Sequence, residues 1–202
     1  MSKYTLKDIR LLIFLSLSFI IIAACTSQRE NQIRLLEEAH NNHEIVKVSS
    51  LYTDDAKFVL VGGWVAEGKE KLIERFNWDF SVNGSLKFLD YKTIKDTVIC
   101  KVEERNDFFR MLNIDVVKYD FTKFIFKDNL IKEVHAKLNQ DSNDMIENSF
   151  SSFIQWASSE KAAELETLKS NGNFTFTKEN SNIWLELLQI YCSLLGLMKK
   201  NW

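Results

Sequence analysis

Two side chains that can exchange protons, Asp115 and Tyr119, stand four residues apart in a long β-branched and aromatic run. Successive side chains of a strand alternate between its two faces, so a strand over residues 114–126 would place both on one face with Val117 and Phe121. If that face is concave, Asp115 and Tyr119 are the polar groups of an aromatic pocket and candidates for acid–base catalysis. The alternative is an aspartate in water at the end of a strand.

Four large aromatic side chains are candidates for contact with a ligand. Trp64 follows a Gly-Gly break after the first predicted strand, and Phe121 belongs to the long strand. Phe108 and Phe109 stand in residues 105–113, which lack a helix or strand period and are predicted to form an exposed loop. Rings of this kind supply contact area at the mouth of a pocket, although they serve equally in core packing.

The three histidines do not have the spacing of a typical metal site. His40 and His43 lie three residues apart and would share one face of a helix, where they could meet His135. No Cys-x-x-Cys pair accompanies them. His135 alternates with Glu133 and Lys137 along a strand, so it is expected to face solvent. We therefore expect no metal and no cofactor.

Cys25 follows a pattern that resembles a bacterial lipoprotein signal peptide with its lipobox. Three basic residues precede an apolar run over residues 11–24, which ends in Ile-Ala-Ala before the cysteine. The run has 14 residues, fewer than the roughly 20 that a bilayer crossing needs. The resemblance implies cleavage before Cys25, lipid on its thiol and a location in the bacterial cell envelope, outside the cytoplasm. An uncleaved anchor or a core helix is the alternative.

The rest of the chain has the composition of one folded, mildly acidic domain. Residues 1–24 hold three of the 26 basic and one of the 28 acidic residues, so the remainder has a net charge of −4. This balance does not favour nucleic acid as a partner. Cys100 and Cys192 both stand in apolar runs, where two buried thiols are favoured over a disulfide.

Periodicity divides the chain into an N-terminal helical part, a central strand-rich part and a C-terminal helical part. A first helix ends near residue 41, and a second one ends where Asp54 and Asp55 begin a turn. The predicted strands cover residues 56–61, 64–66, 86–94, 97–104, 114–126 and 130–138; further helices start at Gly68 and cover residues 141–169 and 180–200.

Three short motifs resemble the nuclear transport factor 2-like superfamily (NTF2-like), which includes SnoaL-like and ketosteroid isomerase-like proteins. They are Leu-Tyr-Thr-Asp-Asp-Ala-Lys-Phe at residues 51–58, Gly-Lys-Glu-Lys-Leu-Ile at 68–73, and a hairpin turn at Asp128-Asn129. The resemblance covers residues 30–138. It implies an α+β fold in which a cone-like, curved antiparallel sheet packs on N-terminal helices, as in cystatin-like proteins.

The domain organisation follows from the signal and the resemblance together. Residues 1–24 are predicted to be the signal peptide, 25–31 a tether, and 32–139 the NTF2-like domain. Residues 140–202 form an additional C-terminal helical extension that is expected to pack on the domain. Sheet-to-sheet homodimers are common in this fold, so the resemblance also implies a homodimer.

The resemblance implies where a steroid isomerase would carry its acid–base groups. A carboxylate base would fall near Leu60, and an oxyanion-stabilising acid near Thr122. Leu60 cannot abstract a proton, so isomerase chemistry of that type is not expected. We favour a noncatalytic, lipid-anchored binding module for a small apolar ligand or a protein partner. The alternative is a small-molecule enzyme of isomerase or hydrolase type that uses a pocket aspartate; a cone filled by side chains would leave an assembly role.

Overall fold

The computed structural model of the protein describes residues 28–196. The predicted signal peptide, Cys25 and the start of the tether lie outside the described residues, as does the end of the chain. The first helix, α1, covers residues 28–41, so residues 28–31 of the predicted tether are helical. Arg29 donates hydrogen bonds to Lys95 and Asp96 and so fixes the first turn of the helix to the turn between two strands.

Three helices cover the concave face of the sheet. They are α1, α2 (Ile45–Ser50) and α3 (Lys69–Ser81). The apolar stripe of α1 includes Ile33 and Leu36, which are buried against Leu72 and Phe76 of α3 and against the strands. The helical periods of the sequence predicted these three elements. Within residues 28–196, no helix has the length and apolar character needed to cross a membrane.

Six strands form a single mixed sheet in the order β2-β1-β6-β5-β4-β3. Their bounds are β1 Tyr52–Leu60, β2 Val65–Glu67, β3 Ser85–Ile94, β4 Thr97–Arg105, β5 Val117–Lys127 and β6 Leu130–Leu138. A short helix, α4 (Asp107–Met111), lies between β4 and β5. All neighbours pair antiparallel except β1 and β6, which are parallel. The predicted turn at Asp128 and Asn129 joins β5 to β6, with positive φ at both residues, as a tight hairpin turn requires.

A β-bulge in β5 changes which of its side chains enter the cone. Cys100 of β4 pairs with Thr122, and Val102 pairs with Tyr119. An advance of two residues along β4 therefore corresponds to an advance of three residues along β5. The extra residue reverses the alternation of side chains beyond it. Tyr119 and Thr122 therefore face the interior, whereas Phe121 does not.

Asp54 and Asp55 lie inside β1, and the prediction that they end the second helix is wrong. That helix ends at Ser50, and the strand begins at Tyr52. Tyr52 and Ala56 are buried, whereas Asp54 and Asp55 are exposed. The two carboxylates form ion pairs with Lys69 and Lys132 at the surface.

The C-terminal segment, residues 140–196, packs on the domain around a second core. It contains α5 (Gln140–Glu160), α6 (Ala162–Thr167), a β7–β8 pair (Lys169–Ser170, Asn173–Phe174), a 3₁₀ turn (Lys178–Asn180) and α7 (Ser181–Leu194). Lys161 has φ −140° and divides the single helix predicted over residues 141–169. Phe153 and Trp184 of this segment have no exposed surface and pack with Trp78 of α3.

Candidate functional site

A cavity of about 360 Å³ lies inside the cone. Small-molecule sites commonly measure about 300–1,000 Å³ and combine apolar walls with a few polar groups. The walls come from α1, α3, the concave face of the sheet, the β4–β5 connection and the C-terminal segment, and most of their side chains are apolar or aromatic. The cone is therefore not filled by its own side chains.

Six polar side chains in the wall influence one another and are called the polar cluster below. They are His40, Arg75, Asp79, Glu104, Asn106 and Tyr119. All except Asn106 come from a helix or strand with apolar neighbours on the same face, so the fold that buries those neighbours also turns the polar groups inward.

Glu104 is the most deeply buried carboxyl group of the polar cluster, with 5% of its surface exposed. Its Oε2 accepts a 2.6 Å hydrogen bond from the Tyr119 hydroxyl, and its Oε1 accepts a 3.0 Å bond from Asn106 Nδ2. Burial and the nearby charge of Asp79 raise the pKa of Glu104, while Arg75 partly offsets this effect. A carboxyl group whose pKa is raised keeps its proton to a higher pH than a carboxyl group in water.

Tyr119 remains a hydrogen-bond donor at physiological pH. Burial raises its pKa well above the usual value, and the charge of Glu104 raises it further. The deprotonated phenolate is therefore disfavoured, and the neutral hydroxyl donates to Glu104.

Arg75 and Asp79 form an ion pair one helical turn apart on α3, with Nη2 and Oδ1 separated by 3.1 Å. Burial acts to lower the pKa of Arg75, but the carboxylates of Asp79 and Glu104 outweigh it and raise that pKa. The Arg75 guanidinium also lies 5.2 Å from the centre of the Trp64 ring. This cation–π contact joins the polar cluster to the exposed edge of the cavity.

His40 is a buried polar group whose ring nitrogens lack hydrogen-bond partners among the described residues. Only 1% of its surface is exposed. The nearest carboxylate contact is long, at 3.8 Å from Nε2 to Asp79 Oδ2, and the rings of Phe76 and Phe80 meet the imidazole edge-on. Burying unpartnered polar atoms costs stability, and the residue that carries them lines the cavity.

Three of the four predicted aromatic residues line the cavity: Trp64, Phe108 and Phe109. Trp64 is 38% exposed and stacks on Phe58 with the ring centres 5.0 Å apart, which places it at the exposed edge of the cavity.

The prediction of an exposed loop over residues 105–113 is wrong. Residues Asp107–Met111 form the helix α4, whose N-cap is Asn106, and Phe108 is buried.

The remaining predicted site residues divide between the cavity and the outside. Tyr119 lines the cavity, as do Leu60 and Thr122, the two positions at which the resemblance would place the groups of an isomerase. Asp115 is exposed and precedes β5, so the alternation of the strand does not include it. Phe121 is turned out by the β-bulge and contacts Lys123 instead.

The three histidines are not brought together. His40 and His43 both contact Phe80 of α3, while His135 lies on β6 with its Nε2 at 3.0 Å from Glu133. Over residues 28–196, no group of three or more histidine, cysteine, aspartate or glutamate side chains is arranged to hold a metal ion. Cys100 and Cys192 are free, buried thiols.

Most of the polar cluster was not predicted from the sequence, although the periodicity contained a signal for it. Glu104 continues the alternation of Val98, Cys100 and Val102, which are all buried. Arg75 and Asp79 stand at helical spacing from the buried Leu72 of α3. A charged residue within the apolar face of an amphipathic element is unusual and marks a candidate site.

Solved structures that resemble this chain share its fold at low sequence identity. The epoxide hydrolase/cyclase-like enzyme SalBIII, named for a role in pyran ring formation in the polyether salinomycin, has a TM-score of 0.51 at 16% identity, over 57% of this chain and 94% of that one. An NTF2-like protein of unknown function from Cytophaga hutchinsonii has a TM-score of 0.47 at 9% identity, over 57% and 94%.

A protein of unknown function with a cystatin-like fold from Methylobium petroleophilum has a TM-score of 0.49 at 13% identity, over 56% of this chain and 77% of that one. No protein-family model and no curated protein matches the sequence. The chain shares a curved-sheet α+β fold with SalBIII, and the α+β fold class predicted from the sequence is confirmed.

Proposed function

We propose that this chain, with its NTF2-like fold, is a lipid-anchored binding protein of the bacterial cell envelope that holds a small apolar molecule in its cone. The observation that carries the proposal is the buried, unpartnered His40 in the wall of an otherwise mostly apolar cavity. A ligand with one hydrogen-bonding group would satisfy the imidazole and bury its apolar part against the aromatic walls.

The membrane anchor in this proposal depends on the pattern around Cys25. Lipid on that thiol and on the new N-terminus would hold the domain at a membrane surface outside the cytoplasm, since several acyl chains anchor stably where one does not. Mass spectrometry of the membrane fraction tests the anchor. A lipid adduct at Cys25 as the N-terminal residue is expected; unmodified Cys25 in a protein that retains Met1 would refute it.

The binding function is tested with octan-1-ol as a probe of the cavity. Saturable binding, followed by tryptophan fluorescence, is expected for the unmodified protein. Leu60→Trp should abolish binding because Leu60 lines the cavity. Val59→Trp is the matched control, since the preceding strand residue points to the other face. Absence of saturable binding, or equal binding by both variants, would show that the cavity is not a ligand site and would leave a protein partner.

A small-molecule enzyme is the second candidate, favoured by the 2.6 Å contact between Tyr119 and a buried glutamate of raised pKa. Asp79 would be the pocket aspartate in that case. An apolar ketone such as octan-2-one in deuterated water provides the test, because a base that removes an α-proton leads to its replacement by deuterium. Exchange that is accelerated by the protein and lost in both Glu104→Gln and Asp79→Asn would establish catalysis.

A further inference from the structure

The C-terminal segment supplies one wall of the cavity. Ile146 and Phe150 of α5 and Phe176 of the connection before α7 all line it, together with side chains of the cone. The shape of the cavity is therefore set partly by a segment outside residues 30–138, the part of the chain that resembles the superfamily.

Phe176 is held in this wall by several other rings. It stacks on Trp184 with the ring centres 4.9 Å apart and the planes 9° from parallel. Its ring also makes edge-on contacts with Trp78 at 5.2 Å and Phe108 at 5.8 Å. Trp184 has no exposed surface, so the stack belongs to the second core and cannot rotate freely.

Hydrogen bonds fix the backbone on either side of Phe176. Asn180 Nδ2 donates to the carbonyl oxygen and to the hydroxyl of Thr175, both at 2.9 Å. Trp184 Nε1 donates to the same carbonyl at 2.9 Å. Thr177 and Asn180 close a capping box at the start of the 3₁₀ turn. The Phe176 wall is rigid, and a rigid wall limits the size of what the cavity accepts.

The charged groups of the cavity wall already have partners. Arg75 pairs with Asp79, and both oxygens of Glu104 accept hydrogen bonds from Tyr119 and Asn106. A ligand carboxylate would face two carboxyl groups for one guanidinium, and a ligand ammonium would face that guanidinium. Either charge would have the imidazole of His40 as a free partner, but a buried charge that is incompletely paired is costly.

We infer that the cavity selects uncharged apolar molecules that carry one hydroxyl or carbonyl group, and that Phe176 limits their chain length. The inference rests on the proposed function and adds to it the chemical class of the ligand and the residue that sets its size. Phe176→Ala would extend the cavity toward α7, while the polar cluster would keep its geometry.

The experiment compares the affinities of dodecan-1-ol and octan-1-ol. In the unmodified protein octan-1-ol is expected to bind at least as tightly as dodecan-1-ol. Phe176→Ala should raise the ratio of the dodecan-1-ol affinity to the octan-1-ol affinity by about tenfold, because additional methylene groups become buried. Phe174→Ala is the matched control: Phe174 packs on Phe150 and Trp184 like Phe176 but does not line the cavity.

A second pair of variants covers the case in which Phe176→Ala does not fold. Ile146→Ala should shift the same ratio in the same direction, whereas Ile154→Ala, from the same helix but outside the cavity wall, should not. The requirement that the ligand be uncharged is tested with octanoate and octylammonium. Each is expected to bind at least about tenfold more weakly than octan-1-ol.

The outcomes separate this inference from the proposed function. If octan-1-ol binds and Leu60→Trp blocks it, but the Phe176 and Ile146 variants leave the ratio unchanged, the inference is overturned while the proposed function stands. Octanoate or octylammonium binding as tightly as the alcohol would overturn the charge requirement. If none of the probes binds the unmodified protein, both the function and the inference fail.

Discussion

Tyr119 and Glu104 are diagonal neighbours on β5 and β4, and the phenol hydroxyl lies 2.6 Å from the carboxyl group. Tyr119 pairs with Val102, and Glu104 pairs with Val117. Diagonal positions on one face of a sheet are within reach of a long aromatic side chain. The contact therefore depends on the register of the two strands, and it makes Glu104 the centre of the polar cluster.

Glu104→Gln should remove a pH dependence of stability. The raised pKa means that the folded protein holds a proton on Glu104 above the usual carboxyl pKa of 4.5, where the unfolded chain has lost it. This contribution to stability is fully present below that value and is lost as pH rises through the raised pKa. Denaturant unfolding at about pH 5 and pH 8 should show the variant gaining about 1 kcal/mol or more relative to the unmodified protein at the higher pH. A difference that is independent of pH would contradict the assignment.

Tyr119→Phe should cost about 1–2 kcal/mol of unfolding free energy, because Glu104 loses a buried donor. Thr122→Val is the control on the same strand. The Thr122 hydroxyl is buried and has no hydrogen-bond partner among the described residues, so its removal should be neutral or slightly stabilising. Equal losses in the two variants would show that the Tyr119 hydroxyl contributes no specific interaction.

His40→Leu should leave stability unchanged or raise it by up to about 1 kcal/mol, since it replaces unpartnered buried nitrogens with an apolar side chain. The same change should weaken octan-1-ol binding about fivefold, because the ligand loses one hydrogen bond. Thermal unfolding and titration of one preparation measure both effects. A loss of stability above about 1 kcal/mol with unchanged binding would assign His40 a structural role instead.

Asn106→Ala should be more destabilising than Asn139→Ala, although both residues are helix N-caps. The Asn106 side chain accepts from Phe109 N at 2.7 Å and donates to Glu104. Within residues 28–196, the Asn139 side chain accepts from Ser142 N at 2.8 Å and makes no second hydrogen bond of this kind. Loss of the cap alone costs about 1 kcal/mol. Loss of the second bond should bring the cost at Asn106 to about 2–3 kcal/mol in denaturant unfolding. Equal costs would show that the bond to Glu104 adds nothing.

Elements with a clear period were predictable because their signal lies within the element itself. The apolar stripe that begins at Ile33 indicated α1, and the aromatic and β-branched run indicated β5. The turn at Asp128 and Asn129 was predictable for the same reason, since asparagine and aspartate tolerate positive φ. The α4 helix was missed because five residues are too few to show a helical period, and a side-chain cap at Asn106 stabilises it.

The order of the long helices and strands, the α+β class and the pattern at Cys25 that predicts a lipid anchor can all be read from the sequence. Which side chains share the cavity depends on tertiary contacts. The bulge in β5 turns Phe121 out and Thr122 in, and the strand register brings Glu104 to Tyr119 rather than Asp115 to Tyr119. Periodicity shows which side chains share a face, but register, bulges and the packing of a distant segment determine which face is concave and what meets inside it.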